Sequence, residues 1–161
     1  MTGVVAWFTG LPSSGKSTLA GAVGNELKAR GIKPVLLDSD DLRATITPPL
    51  GYDNGSRAAL YGTLARIAAL IANQGHIVLV PATAHRRVFR DAARSLAPQF
   101  VEIYVDTPLD ECKRRDRKGT YAGAGELVPG VGVDFEPPAN PDFRGADTAA
   151  RIAQRIADLA R

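Results

Sequence analysis

The 161-residue chain has one cysteine, one methionine, one tryptophan and two histidines. Cys112 alone cannot close an internal disulfide, so a covalent staple is excluded and a reducing compartment is expected. So few cysteines and histidines also leave no cluster with zinc-ligand spacing. The apolar run near the start, "VVAWF", is far too short to cross a bilayer, and no positively charged n-region precedes it. A cytoplasmic protein with no membrane partner is therefore expected. Charge of one sign is scarcely in excess, since 20 basic and 17 acidic residues give +3. The pI is near 9.2, yet no basic block or basic–aromatic interleaving accompanies it, so no nucleic-acid partner is expected.

What the chain does have is 45% hydrophobic residues, enough for the core of one domain spanning residues 1–161. Three apolar runs read as buried parallel strands: Val4–Thr9, Pro34–Asp38 and Ile77–Val80. A fourth, Phe100–Val105, ends in Asp106-Thr107-Pro108, a helix-starting signal. Helical spacing lies between them. Lys16–Arg30 carries Leu19, Val23 and Leu27 four apart and stops at Gly31; Ser56–Asn73 carries Leu60, Leu64, Ile67 and Leu70. Val88–Leu96, Leu109–Arg115 and Thr148–Leu159 are shorter helices. Strand alternating with helix predicts an α/β fold: a three-layer sandwich around a mostly parallel sheet of four to five strands. Residues 117–145 break the pattern with six glycines and four prolines, the composition of a lid loop over a site. "DFRGAD", just before the last helix, is a poor strand with one bulky apolar residue.

Between the first strand and the first helix, Gly10-Leu-Pro-Ser-Ser-Gly15-Lys16-Ser17 fits G-x-x-x-x-G-K-S/T. Glycines allow the tight turn that aims successive N–H groups at phosphate oxygens, and the helix N-terminus adds its dipole. Lys16 brings a point charge to the outer phosphates, and the Ser17 hydroxyl suits Mg²⁺. This is the P-loop of a nucleoside triphosphate site, with Gly10, Ser13, Ser14, Gly15, Lys16, Ser17 and Thr18 as ATP-binding residues. A plain Gly/Ser turn capping a helix is the bland alternative. The second strand ends in Asp38, Asp40 and Asp41, at the sheet edge where such folds bind ligands. Asp38 suits the metal, and Asp40 suits a hydroxyl proton, unless Asp40 or Asp41 merely caps the next helix. The third strand ends without an aspartate, which argues against a motor ATPase or GTPase.

The segments "WFTGLPSSGKSTLA", "LLDSDDLR", "FVEIYVDTPLDECKRRDRKGTY" and "GVDFEPPANP" resemble, in order and spacing, the adenylylsulfate (APS) kinases. The resemblance covers about residues 4–141. Members transfer the γ-phosphate of ATP to the 3′-hydroxyl of adenylyl sulfate, so it implies a P-loop kinase fold with a lid after strand four. It also implies ATP and Mg²⁺, a small anionic acceptor, and catalysis by Lys16 and Asp40. By position, Asp40, Asp41, Arg43, Tyr52, Arg57, Arg87 and Lys118 correspond to acceptor-side residues, Tyr52 as a ring stacking on adenine. Arg114 or Arg115 would lie against ATP, with Arg114 the expected one. A homodimer is entertained as the assembly.

The chain departs from the family at several of these places. Ala59 and Leu60 replace a glutamate and an acceptor-contacting asparagine, and Ala84-His85-Arg86-Arg87 replaces Ser-Pro-Tyr-Arg. Gly130 stands where a second stacking ring is usual. Such a contact and such a ring are each worth roughly 1–3 kcal/mol. Two further readings therefore stay open: a kinase for another hydroxyl acceptor, such as a nucleotide or sugar derivative, and a nucleotide-binding module without a kinase reaction. Arg86, Arg90 and Arg94 are expected on a solvated helix face. His76 is expected to be structural. His85 is expected near the pocket mouth, as packing or as a proton carrier. Cys112 is expected to pack half-buried.

Overall fold

Every residue of the first strand is buried, and that fixes the layering. The computed structural model describes residues 1–123, 127–145 and 149–161. Its strands are β1 (Val4–Thr9), β2 (Val35–Leu36), β3 (Ile77–Pro81), β4 (Phe100–Tyr104) and β5 (Phe143–Arg144). Its helices are α1 (Lys16–Ala29), α2 (Ser39–Thr45), α3 (Asn54–Ala72), α4 (Arg87–Leu96), α5 (Leu109–Arg114) and α6 (Ala149–Ala160). Successive side chains of a strand point to opposite faces. Val4, Ala6 and Phe8 accordingly join Val23, Leu27, Ile152 and Ile156 of α1 and α6. Val5 and Trp7 join Leu60, Leu64, Ala68 and Ala93 of α3 and α4. A sheet covered on both faces requires near-continuous apolar strands, which is what the sequence supplies.

The strand order is β2-β3-β1-β4-β5, and all four pairings are parallel. After β1 the chain goes outward to one side for β2 and β3, then to the other side for β4. The crevice at the carboxyl end of β1 is thus the place where the connections diverge, and the loop carrying Gly10–Gly15 lies there.

The expected elements appear with adjusted ends. The second strand shrinks from the expected 34–38 to two residues, because Asp38 is taken up as the N-cap of α2. Along α3 the buried face runs through Leu60, Tyr61, Leu64, Ala65, Ala68 and Ala72, whereas Leu70 is 63% exposed. The weak "DFRGAD" segment does yield a strand: Phe143 pairs with Ile103 and Arg144 with Tyr104. Asp142 steadies it, its carboxylate accepting from the Glu102 N–H at 2.7 Å and its own N–H donating to the Glu102 carbonyl at 2.8 Å. The lid loop therefore ends before Phe143. Thr148, expected to open the last helix, and residues 124–126 of the lid lie outside the described residues.

The expectation of a solvated face fails at Arg90. Its side chain is 1% exposed and pairs with Glu102, itself 7% exposed, at 3.5 Å. The guanidinium also donates to the Ala84 carbonyl at 2.7 Å, to the Glu136 carbonyl, and to the Thr9 hydroxyl at 3.4 Å. One buried cation thus ties α4, the end of β1 and the far lid segment together. Arg94 meets the same glutamate at 3.3 Å from a half-exposed position. Removing one partner of a buried pair strands the other charge, whereas an exposed partner is screened by water. Arg90→Ala should therefore lower unfolding stability by about 3–5 kcal/mol in urea melts, and Arg94→Ala by about 1 kcal/mol or less. Equal losses would remove the distinction.

Candidate active site

Gly10 opens the loop after β1 where no side chain fits. A Cβ there would lie 2.5 Å from the Val105 carbonyl oxygen and 2.8 Å from the Ser14 hydroxyl. Two left-handed residues then turn the chain inward, Ser13 at φ 62° and Gly15 at φ 100°. Gly15 is the N-cap of α1 and has no side chain to occupy the helix's first N–H groups. Those donors face the crevice as an anion nest. The Lys16 ammonium donates to the Leu11 carbonyl at 2.9 Å, bending back over the loop. Burial lowers its pKa to about 8, against the opposing pull of Asp40 and Asp38.

The aspartates divide their work by position. Asp38 caps α2, its Oδ1 accepting from the Asp40 N–H at 2.9 Å, while Oδ2 accepts from the Ser17 hydroxyl at 2.7 Å. Capping thus falls to Asp38, not to Asp40 or Asp41. The side chain of Asp40 is free to project across the cleft, where it forms an ion pair with Lys118 of the lid. The hydrogen bond that Lys118 donates to that carboxylate raises the Lys118 pKa. Asp41 is exposed on α2 and borders no part of the cleft.

A single cavity of about 1050 Å³ runs from Ser13, Lys16 and Ser17 past Asp38 and Asp40 to Arg43, Tyr52, Arg57 and Lys118. At its far end the Arg43 guanidinium lies over the Tyr52 ring, 4.2 Å from the centroid, and donates to the Gly51 carbonyl at 2.7 Å. Arg57, buried on α3, donates through Nε to the Tyr52 carbonyl at 2.8 Å and through Nη2 to the Leu127 carbonyl of the lid. Burial lowers its pKa. Leu60, at the position expected beside the acceptor, and the lid segment Leu127–Pro129 complete the wall with Tyr61 and Thr83, which sequence reasoning did not find. Tyr61 had a signal, since it lies one helical turn from Arg57.

Besides Asp41, two expected site residues stand elsewhere. Arg87 donates from Nε to the Pro137 carbonyl at 2.7 Å and borders a separate cleft of about 350 Å³. Arg114 turns back on Glu111 at 2.9 Å, and its neighbour Arg115 reaches the loop instead, with Nη1 3.5 Å from the Ser14 carbonyl. Arg115 also bonds Glu111 at 2.9 Å, so one carboxylate sorts the two cations by helical spacing. Gly10, Ser14 and Gly15 form the loop's frame, and Thr18 is exposed in the first turn of α1. His85 borders no part of the cleft. It packs between Tyr61 and Phe89, and burial, reinforced by Arg57 and Arg86, lowers its pKa to about 4. It is held neutral at physiological pH. Cys112 is fully buried rather than half-buried. Burial raises its thiol pKa.

A phosphate cradle at the sheet's divergence point, with carboxylates and paired cations in the same cleft, defines a kinase of the P-loop class. The chain belongs to the adenylylsulphate kinase family, whose pattern matches residues 2–145. It is 40% identical to the adenylyl-sulfate kinase of Yersinia pestis over 99% of this chain and 78% of that protein. It is 41% identical to the bifunctional enzyme CysN/CysC of Mycobacterium tuberculosis over 98% of this chain, which spans 27% of that larger protein. The structure of the Mycobacterium tuberculosis APS kinase CysC in complex with AMPPNP and APS superposes with a TM-score of 0.86. It is 38% identical, over 98% of this chain and 97% of that one. Among the described residues, no helix is long and apolar enough to cross a membrane.

The lowered Lys16 pKa gives a pH test with a definite sign. Phosphates beside the ammonium favour its charged form, so binding above pH 8 must take up a proton. ATP affinity should be about halved at pH 8 relative to its value well below that pH, then fall toward tenfold per unit as pH rises further. Calorimetry in two buffers of different ionisation enthalpy would detect the proton. Lys16→Ala should abolish the slope.

Proposed function

We propose that the protein transfers the γ-phosphate of ATP to the 3′-hydroxyl of adenylyl sulfate, releasing ADP. The observation that carries this reading is the single cavity joining the Lys16–Ser17 end to the Tyr52–Arg57 end. Donor and acceptor can meet there without crossing solvent. Much of the catalysis in phosphoryl transfer is positioning and charge neutralisation, and this cleft is rich in both.

The acceptor hydroxyl oxygen attacks the γ-phosphorus, the bond to the bridging oxygen of ADP breaks, and the hydroxyl proton passes to the Asp40 carboxylate. Lys16 and the loop amides hold the charge that gathers on the leaving phosphates. Arg43 and Arg57 flank Tyr52 and face the acceptor's anionic groups with planar donors. Lys118 carries the lid's charge to Asp40 and helps to enclose the reaction. Mg²⁺ fits the donor set present, because the Ser17 hydroxyl and Asp38 carboxylate, 2.7 Å apart, are hard oxygens. Ser17 would hold the ion directly and Asp38 through water, and the ion would supply charge neutralisation at the phosphates.

One observation favours a second acceptor. Leu60 is buried on the cavity wall where the family has an asparagine, and Gly130 brings no second ring and lies outside that wall. The glycine sits in a tight turn at φ 87°, where a Cβ would strike Leu11 at 2.8 Å. The acceptor end is therefore less polar at Leu60, which would suit a hydroxyl compound other than a purine nucleotide. A cytoplasmic setting and a homodimer belong to the same reading.

ADP release decides among these. Release with Mg-ATP that depends on adenylyl sulfate is expected. Release only with another hydroxyl compound would redirect the acceptor, and tight ATP binding without turnover would leave a nucleotide-binding module. In the active protein, Lys16→Ala should cut turnover by about 100-fold or more with the fold intact. Asp40→Asn should lower kcat by about 100- to 10,000-fold while ATP affinity changes little. A mutant that lost only ATP binding would place Asp40 on the donor side.

A further inference from the structure

An anion nest needs its N–H groups turned inward, and a trans peptide is planar, so each inward N–H sets a carbonyl facing outward. Two of those carbonyls in the loop are held by hydroxyls from outside it. The Tyr121 hydroxyl donates to the Pro12 carbonyl at 2.7 Å, which fixes the plane bearing the Ser13 N–H. The Thr107 hydroxyl donates to the Ser14 carbonyl at 2.7 Å, which fixes the plane bearing the Gly15 N–H. These are the two left-handed residues of the turn, where the backbone most needs external support.

Tyr121 is itself well anchored. Its ring is buried, and the Asp116 carboxylate accepts from the N–H groups of Thr120, Tyr121 and Ala122 at 2.9, 2.7 and 3.2 Å. Thr120 and Gly123 border the cavity, but Tyr121 does not. We propose that Tyr121 and Thr107 are positioning residues that orient the phosphate-binding amides from behind, and that Tyr121 makes this orientation depend on the docked lid. Neither residue touches substrate. Their effect on nucleotide affinity passes through Pro12 and Ser14.

The inference rests on the triphosphate reading of the loop, so the test measures Mg-ATP binding by calorimetry without any acceptor. A wild type that binds no Mg-ATP would overturn that reading and this one with it. Tyr121→Phe removes one hydroxyl and keeps the ring. Its Kd should rise about three- to tenfold with stoichiometry near one, the usual worth of a single hydrogen bond. An unchanged Kd, whatever the stoichiometry, would overturn the proposal. If Tyr121→Phe does not fold, Thr107→Val and Thr107→Ser decide. Valine should raise Kd and serine restore it, and equal behaviour of the two would overturn the proposal.

Discussion

Backbone N–H groups turned toward one point leave their carbonyls on the outside, and a loop so arranged holds only if those carbonyls find donors. Here the donors come from separate stretches of chain. The Lys16 ammonium covers Leu11, the Tyr121 hydroxyl covers Pro12, and the Thr107 hydroxyl covers Ser14. Gly10 lets the loop pass against Val105, and the burial of β1 keeps its start rigid. The cradle is a property of the whole sheet edge, not of the eight motif residues alone.

The Tyr52 end of the cleft depends on charge held in place by backbone. Arg43 and Arg57 meet around Tyr52 because each is bonded to carbonyls of the same segment, Gly51 and Tyr52. Like charges brought together repel, and burial lowers the Arg57 pKa, so the site holds stored preference for an anion. Asp40 and Lys118 balance each other across the opening.

Much of the fold was legible because its signals are local. Apolar strands without alternation, glycine stops and four-residue helical spacing gave the order of elements, and the P-loop placed the donor end. What was missed depended on partners distant in sequence. Arg90 reads as one more exposed helical arginine until Glu102, Thr9 and Glu136 are brought around it. Phe143–Arg144 looks too polar for a strand, but an edge strand needs one covered face, and Asp142 supplies the register. Arg115 was exchanged for Arg114 because sequence spacing does not reveal which of two neighbours faces the loop. The carried-over positions Asp41 and Arg87 show the same limit, since correspondence in a motif does not bring a side chain into a cleft.

Arg57 grips the carbonyl beneath the aromatic shelf with one nitrogen and the carbonyl of Leu127 with another. Shelf and door are therefore hung on one hinge-pin. The door cannot swing wide at Leu127 without surrendering that grip and leaving a buried cation half undressed.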